Sequence, residues 1–174
     1  MNATNGAITA KTTPSHTISV LVHNRPGVLS RIAQVFARRG FNIDSLVVSE
    51  AHQEGFSRMT IVSLGEPEAL DQIIKQLNKL VDVVRAAEHV SGESVERELA
   101  LIKVTATPDT RTELLQIIDV FRAKTVDISD DSLTIEVTGD SSKLDAMEEM
   151  LGKFGIIEMI RSGKLIIARG SLVT

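Results

Sequence analysis

Asn24, Pro26 and Gly27 stand within four consecutive residues, between an apolar run ending at His23 and an amphipathic run opening at Val28. That is strand, tight polar turn, helix. A helix that opens straight out of a turn leaves its first N–H groups without intrahelical acceptors. The dipole adds partial positive charge at the same spot, so a carboxylate is well received there. Gly27 leaves room for a ligand to approach the backbone, and the Asn24 amide offers both donors and an acceptor. Asn24, Pro26, Gly27 and Val28 are therefore candidates for recognising a small carboxylate. The competing account is local: Asn24 caps the helix and Gly27 eases the turn.

Asn42 and Ile43 form a second candidate pair, expected at the start of the second strand just past Gly40. Turn chemistry alone would explain Asn42, since asparagine tolerates left-handed backbone. Ile43 and Leu46 could line an apolar slot, although such residues on a strand are more often core. Elsewhere the chemistry is sparse. His16, His23, His52 and His89 lack metal-ligand spacing. The acidic turn Asp127, Asp130, Asp131 lacks the glycine and terminal glutamate of a calcium loop. Gly139 and Gly152 stand outside any phosphate-loop spacing. No paired carboxylates or nucleophile–base order point to catalysis, so no catalytic residue and no metal ligand is assigned.

The elements that must position these residues can be read from periodicity. Thr17–His23 is an apolar strand. Val28, Leu29, Ile32, Val35 and Phe36 recur at helical spacing up to Gly40. Phe41–Ser49 is a second strand, 51–55 a polar loop and Phe56–Leu64 a third strand. Pro67 opens a helix with a Leu70, Ile73, Ile74, Leu77 stripe, and Val81–Val90 closes the sheet. This βαββαβ order predicts an α+β ferredoxin-like sandwich.

After a polar link at Ser91–Ser94 the order recurs. Leu99–Thr105 is a strand, then comes a helix stripe at Leu114, Leu115, Ile118 and Phe121. Strands Thr125–Ser129 and Leu133–Thr138 follow, then a helix through Leu144, Met147 and Leu151, then strands Ile156–Ile160 and Leu165–Ala168. The repeat divides the chain into a disordered lead-in (1–16), a first domain (17–91) and a second ferredoxin-like domain (96–174). The second copy has no Asn-Arg-Pro-Gly turn; Thr107–Glu113 reads as an ordinary capped helix start, with Thr110 and Glu113 spaced as a capping box. Ligand binding is therefore expected in the first copy only.

Composition narrows the function classes. The 174 residues are 43% hydrophobic but 3% aromatic, without Trp, Tyr or Cys. A net charge of −4 and the scarcity of stacking rings argue against a nucleic-acid partner. Absence of Cys removes disulfides and thiolate chemistry. No apolar run has the roughly 20 residues a membrane helix needs. The Arg-free start resembles neither a secretion signal nor a transit peptide, so a cytoplasmic location and no membrane partner are expected.

The run HNRPGVLSRIAQVFARRGFNIDSLVV resembles an ACT domain, the amino-acid-binding regulatory module. Together with SRMTIV (57–62), QLNKLVDVV (76–84) and VERELALIKV (95–104), it is similar to the regulatory small subunit of acetohydroxyacid (acetolactate) synthase. These blocks follow the family's order over about four fifths of the chain. The resemblance implies valine bound at Asn24 and Gly27, with Asn42 reaching it across a homodimer interface between ACT domains. It implies a catalytic large-subunit partner that carries thiamine diphosphate, magnesium and FAD, none of them on this chain. It further implies that this chain activates the partner and confers feedback inhibition in branched-chain amino-acid synthesis. A free-standing amino-acid sensor acting on another protein is the alternative.

Overall fold

The computed structural model describes residues 14–89, 92–171 and 173–174. Its first unit contains β1 (Ser15–His23), α1 (Val28–Arg38), β2 (Ser45–Glu50), β3 (Phe56–Leu64), α2 (Pro67–Leu77) and β4 (Val83–Glu88). The strands form an antiparallel sheet in the order β2-β3-β1-β4, with β2 at an edge. In a strand alternate side chains face opposite sides, so Ile18, Val20 and Val22 point one way with Met59 and Ile61 from β3. Val28, Ile32 and Phe36 recur every fourth residue of α1 and close onto this face, with Leu70, Ile73 and Leu77 from α2. Each fully buried side chain of this kind stabilises by about 1.5–3 kcal/mol. The second turn of α1 is therefore pinned over the sheet, which fixes where its first turn must lie.

The second unit contains β5 (Ser94–Thr105), α3 (Pro108–Val120), β6 (Lys124–Ile128), β7 (Ser132–Gly139), α4 (Ser141–Gly152), β8 (Ile156–Arg161) and β9 (Leu165–Ala168). Its sheet runs β6-β7-β5-β8, the same order as the first unit shifted by four strands. Ala100, Ile102, Val104, Leu133 and Ile135 meet Leu114, Ile118, Leu144, Met147 and Leu151 in a separate core. The architecture is thus two tandem ferredoxin-like α+β sandwiches. Strand β9 is an addition, pairing with the first four residues of β5. On the side of the first sheet away from its helices, Ser45 and Val47 lie against Gly163 of the second unit, and Val47 and Thr60 line a hollow together with Leu165 and Ile167.

Several boundaries differ from expectation. Ser15 and His16 belong to β1 rather than to a lead-in, paired with Leu64 and Ser63. The His16 ring, 2.6 Å from Glu88 Oε1 and 3.0 Å from the Gly65 carbonyl oxygen, fastens that end of the strand. Residues 1–13 lie outside the described residues. The second strand begins at Ser45, not Phe41, because side chains take over the bonding before it: Ser63 Oγ donates to the Asn42 carbonyl and Leu64 N–H to the Asp44 carboxylate. Ser94, counted with the link, is the first residue of β5, where β9 pairs with it. The α3 capping box joins Thr107 to Thr110; Glu113 instead reaches Lys153 at 2.6 Å. Ile117 rather than Leu115 completes the buried stripe of α3.

Candidate functional site

The turn between β1 and α1 is held from both sides. Asn24 N–H donates to the Gly55 carbonyl at 2.8 Å and His23 N–H to the Asp82 carbonyl at 2.9 Å. Pro26 limits its own φ and restricts Arg25 before it. Gly27 then takes the N-cap position in left-handed backbone, at φ 82° and ψ −4°, a conformation glycine adopts without strain. It has no side chain to cap the helix, and among the described residues no other side chain does so. Asn24 is therefore not the helix cap. Val28 N–H has a long bond of 3.4 Å to the Arg25 carbonyl, and Arg31 N–H bonds to the Gly27 carbonyl. Among the described residues, nothing accepts from the N–H groups of Gly27, Leu29 or Ser30.

A hollow of about 140 Å³ opens beside these amides, lined by Val22, Asn24, Gly27, Leu29, Val48 and Met59 among others. Arg25 and Arg31 flank it, both directed to Asp82, at 3.9 Å and 2.6 Å. Glu50, at the end of β2, lies 3.5 Å from the Asn24 Nδ2. That distance is too long for a strong bond, so both groups keep capacity for a ligand. Free amides with two guanidinium groups near them suit a carboxylate. The Glu50 carboxylate and the Asn24 amide oxygen suit an ammonium, and Val22, Leu29, Val48 and Met59 suit an aliphatic side chain.

Of the expected residues, Asn24, Gly27 and Val28 meet at this hollow, with Val28 also buried in the core. Pro26 shapes the turn without lining the hollow. Asn42 and Ile43 lie at the other end of β2, about 20 Å away for six residues of strand. Asn42 is exposed and its side chain donates to Asp44 at 3.2 Å; Ile43 packs against the first core. One chain does not bring the two groups together. Leu29 also lines the hollow from the first turn of α1, where its spacing reads only as part of the helix stripe. Val48, Ser57 and Met59, with Glu50 at the rim, were missed because the β2–β3 register brings them there and leaves no local spacing to read.

The equivalent place in the second unit is closed. Thr107 N–H donates to Thr110 Oγ1 at 3.0 Å, capping α3. Arg111, at the same helical position as Arg31, donates to the carbonyls of Ser129 and Asp130, each at 2.8 Å. Among the described residues no His, Asp and Glu cluster could hold a metal, and no helix is long and apolar enough to cross a membrane.

A βαββαβ sandwich with an open, glycine-led helix start beside an edge strand defines an ACT-type domain. Residues 18–85 match the family model described as "AHAS small subunit-like ACT domain", and residues 97–170 match "Small subunit of acetolactate synthase". The chain is 49% identical to the probable acetolactate synthase small subunit of Archaeoglobus fulgidus, over 90% of this chain and 98% of that protein. It is 51% identical to the acetolactate synthase small subunit of Mycolicibacterium smegmatis, over 91% and 93%. A crystal structure of the Thermotoga maritima small subunit superposes with a TM-score of 0.82 at 39% identity, covering 91% of this chain and 99% of that one. The chain belongs to the acetolactate synthase small-subunit family.

Proposed function

We propose that this protein is the valine-sensing regulatory subunit of acetolactate synthase in the cytoplasm, activating a catalytic large subunit and making it subject to feedback inhibition. The observation that carries the reading is the pair of free amides at Gly27 and Leu29 beside an aliphatic hollow with Glu50 at its rim. Valine needs those three features: acceptance of a carboxylate, neutralisation of an ammonium and an apolar slot. Its side chain would gain about 1.5–3 kcal/mol on full burial. Thiamine diphosphate, magnesium and FAD would be held by the catalytic partner.

The hollow supports a site shared between two copies. Closed ligand pockets run to about 300–1,000 Å³, and 140 Å³ open on one side is too small. Among the described residues strand β2 is an unpaired edge, which a fold must cover or defend. Pairing two β2 strands antiparallel about a two-fold axis sets the Asn42 end of one copy against the Gly27 end of the other. Asn42 and Ile43 of the second copy would then complete the pocket. Bound valine favours one interface geometry, and inhibition follows if the catalytic subunit prefers the other. The test is calorimetry of valine on the purified chain, followed by valine titration of the reconstituted enzyme. A chain that activates the catalytic subunit but neither binds valine nor transmits inhibition would refute the reading.

A further inference from the structure

Among the described residues, strand β2 pairs with β3 along one edge and turns its two faces toward different parts of the molecule. Leu46 and Val48 point toward the helices, Val48 lining the hollow. Ser45 and Val47, by the alternation of the strand, point to the opposite face. There they meet the turn between β8 and β9. A Cβ built on Gly163 would run into Ser45 Oγ and come within 2.9 Å of Val47 Cγ2. Backbone of the second unit thus lies directly on the edge strand of the first, and only a residue without a side chain fits. Gly163 is also in left-handed backbone, at φ 81°.

The turn is tied firmly behind that contact. Ser162 N–H donates to the Leu99 carbonyl at 2.9 Å, and Leu99 N–H donates to Ser162 Oγ at 3.0 Å. The neighbouring Arg161 guanidinium is bound to Glu98 at 2.9 and 3.1 Å and to Asp145 of α4 at 2.5 Å. Glu98 is 6% exposed and also accepts from Ser141 Oγ at the start of α4. A displacement of β2 therefore meets a turn braced to β5 and to α4, and close-packed groups pass strain on instead of absorbing it. We infer that β2 transmits amino-acid binding to the second domain through the Ser45–Gly163 contact, with Gly163 as the positioning residue. The inference rests on the valine site proposed above and adds its route out of the first domain.

The experiment uses the full chain and the enzyme reconstituted with the catalytic subunit. Gly163→Ala is compared with wild type, Ser45→Gly and the double variant. Calorimetry reads valine affinity; valine titration of activity reads coupling. Gly163→Ala should bind valine within about threefold of wild type yet need at least tenfold more for half-inhibition. The double variant should recover part of that loss, because Ser45→Gly removes the harder of the two clashes and leaves the Val47 methyl and the backbone strain at position 163 unchanged. Inhibition of Gly163→Ala at the wild-type valine concentration overturns the inference, as does a double variant no better than Gly163→Ala. Wild-type chain that binds no valine overturns the site and this route together. Hydrogen exchange on wild type is independent of whether the variants fold. Valine should slow amide exchange severalfold at Ser162–Lys164, and no change there also overturns the inference.

Discussion

At the scale of single residues, the site depends on what Gly27 lacks. With no cap and no side chain it leaves amides open, and any residue placed there meets strain at positive φ. Asparagine and aspartate tolerate that region better than most, so Gly27→Asn and Gly27→Asp differ mainly in charge. Two like charges about 4 Å apart repel by roughly 4 kcal/mol at an effective dielectric near 20. Arg31 Nη1, 3.4 Å from the position of a Cβ, offsets part of this. Gly27→Asp should bind valine at least about tenfold more weakly than Gly27→Asn by calorimetry; equal affinities would move the carboxylate away from the turn. Asn42→Ala should cost about 1.5–3 kcal/mol of binding if its amide reaches a charged group of the ligand. The fold should be unaffected, because Ser63 bonds the Asn42 backbone and not its side chain. Unchanged affinity would leave Asn42 as a turn residue.

At the scale of elements, side-chain bonds decide where helices stop and how they are fastened. Asn78 follows α2, and its amide donates to the Ile74 and Ala86 carbonyls, at 3.0 and 2.9 Å, while accepting from Ala86 N–H at 2.8 Å. It joins the end of α2 to β4 where Ala86 is 5% exposed. Asn78→Ala would strand buried backbone groups at a cost of about 1–3 kcal/mol. Thermal unfolding should fall by several degrees, at about 2–4 °C per kcal/mol for a chain of this size. A shift below one degree would mean that water replaces all three bonds. The same logic separates the two helix starts: Thr107 and Thr110 close the first turn of α3 with side-chain bonds, whereas Gly27 leaves the first amides of α1 open.

At the scale of the whole molecule, His89 lies between the two units, 2.8 Å from Ser19 Oγ on the first sheet. Burial holds its pKa below the ordinary 6.5; Glu96 opposes that shift, and Arg58 and Arg85 add to it. Well above pH 6.5 the ring is neutral both folded and unfolded, so it adds no pH dependence there. As pH falls below 6.5, the unfolded chain takes the proton first and stability declines until the folded-state pKa is reached. His89→Gln should flatten that part of a plot of melting temperature against pH, and an unaltered slope would assign it to other groups. Assembly gives a second test. If two copies share the pocket, valine binds the dimer better than the monomer and must tighten it by mass action. Sedimentation at micromolar concentration should show a dimer whose dissociation constant falls with added valine; a monomer in both conditions would contradict the shared site.

How much the sequence determined follows from how far each signal reaches. The βαββαβ order, its repeat, the helix stripe of α2 and the turn at Asn24–Gly27 are carried by residues close together along the chain, and periodicity exposes them. The strand Phe56–Leu64 and the helix starts at Val28 and Pro67 are local in the same sense. Most of what differed was set by contacts between distant segments; the capping box of α3 and its Ile117 are the local exceptions. Ser15 and His16 join β1 through Glu88 and Gly65, and β2 starts late because Ser63 and Leu64 bond Asn42 and Asp44. Val48 and Met59 reach the hollow, and Glu50 reaches Asn24 at its rim, only through strand register, and Gly163 meets Ser45 across 118 positions of chain. Separating Asn42 from Gly27 by the length of β2 was likewise a decision of tertiary structure, since a strand alternates faces every residue but reveals its ends only when its partners are in place.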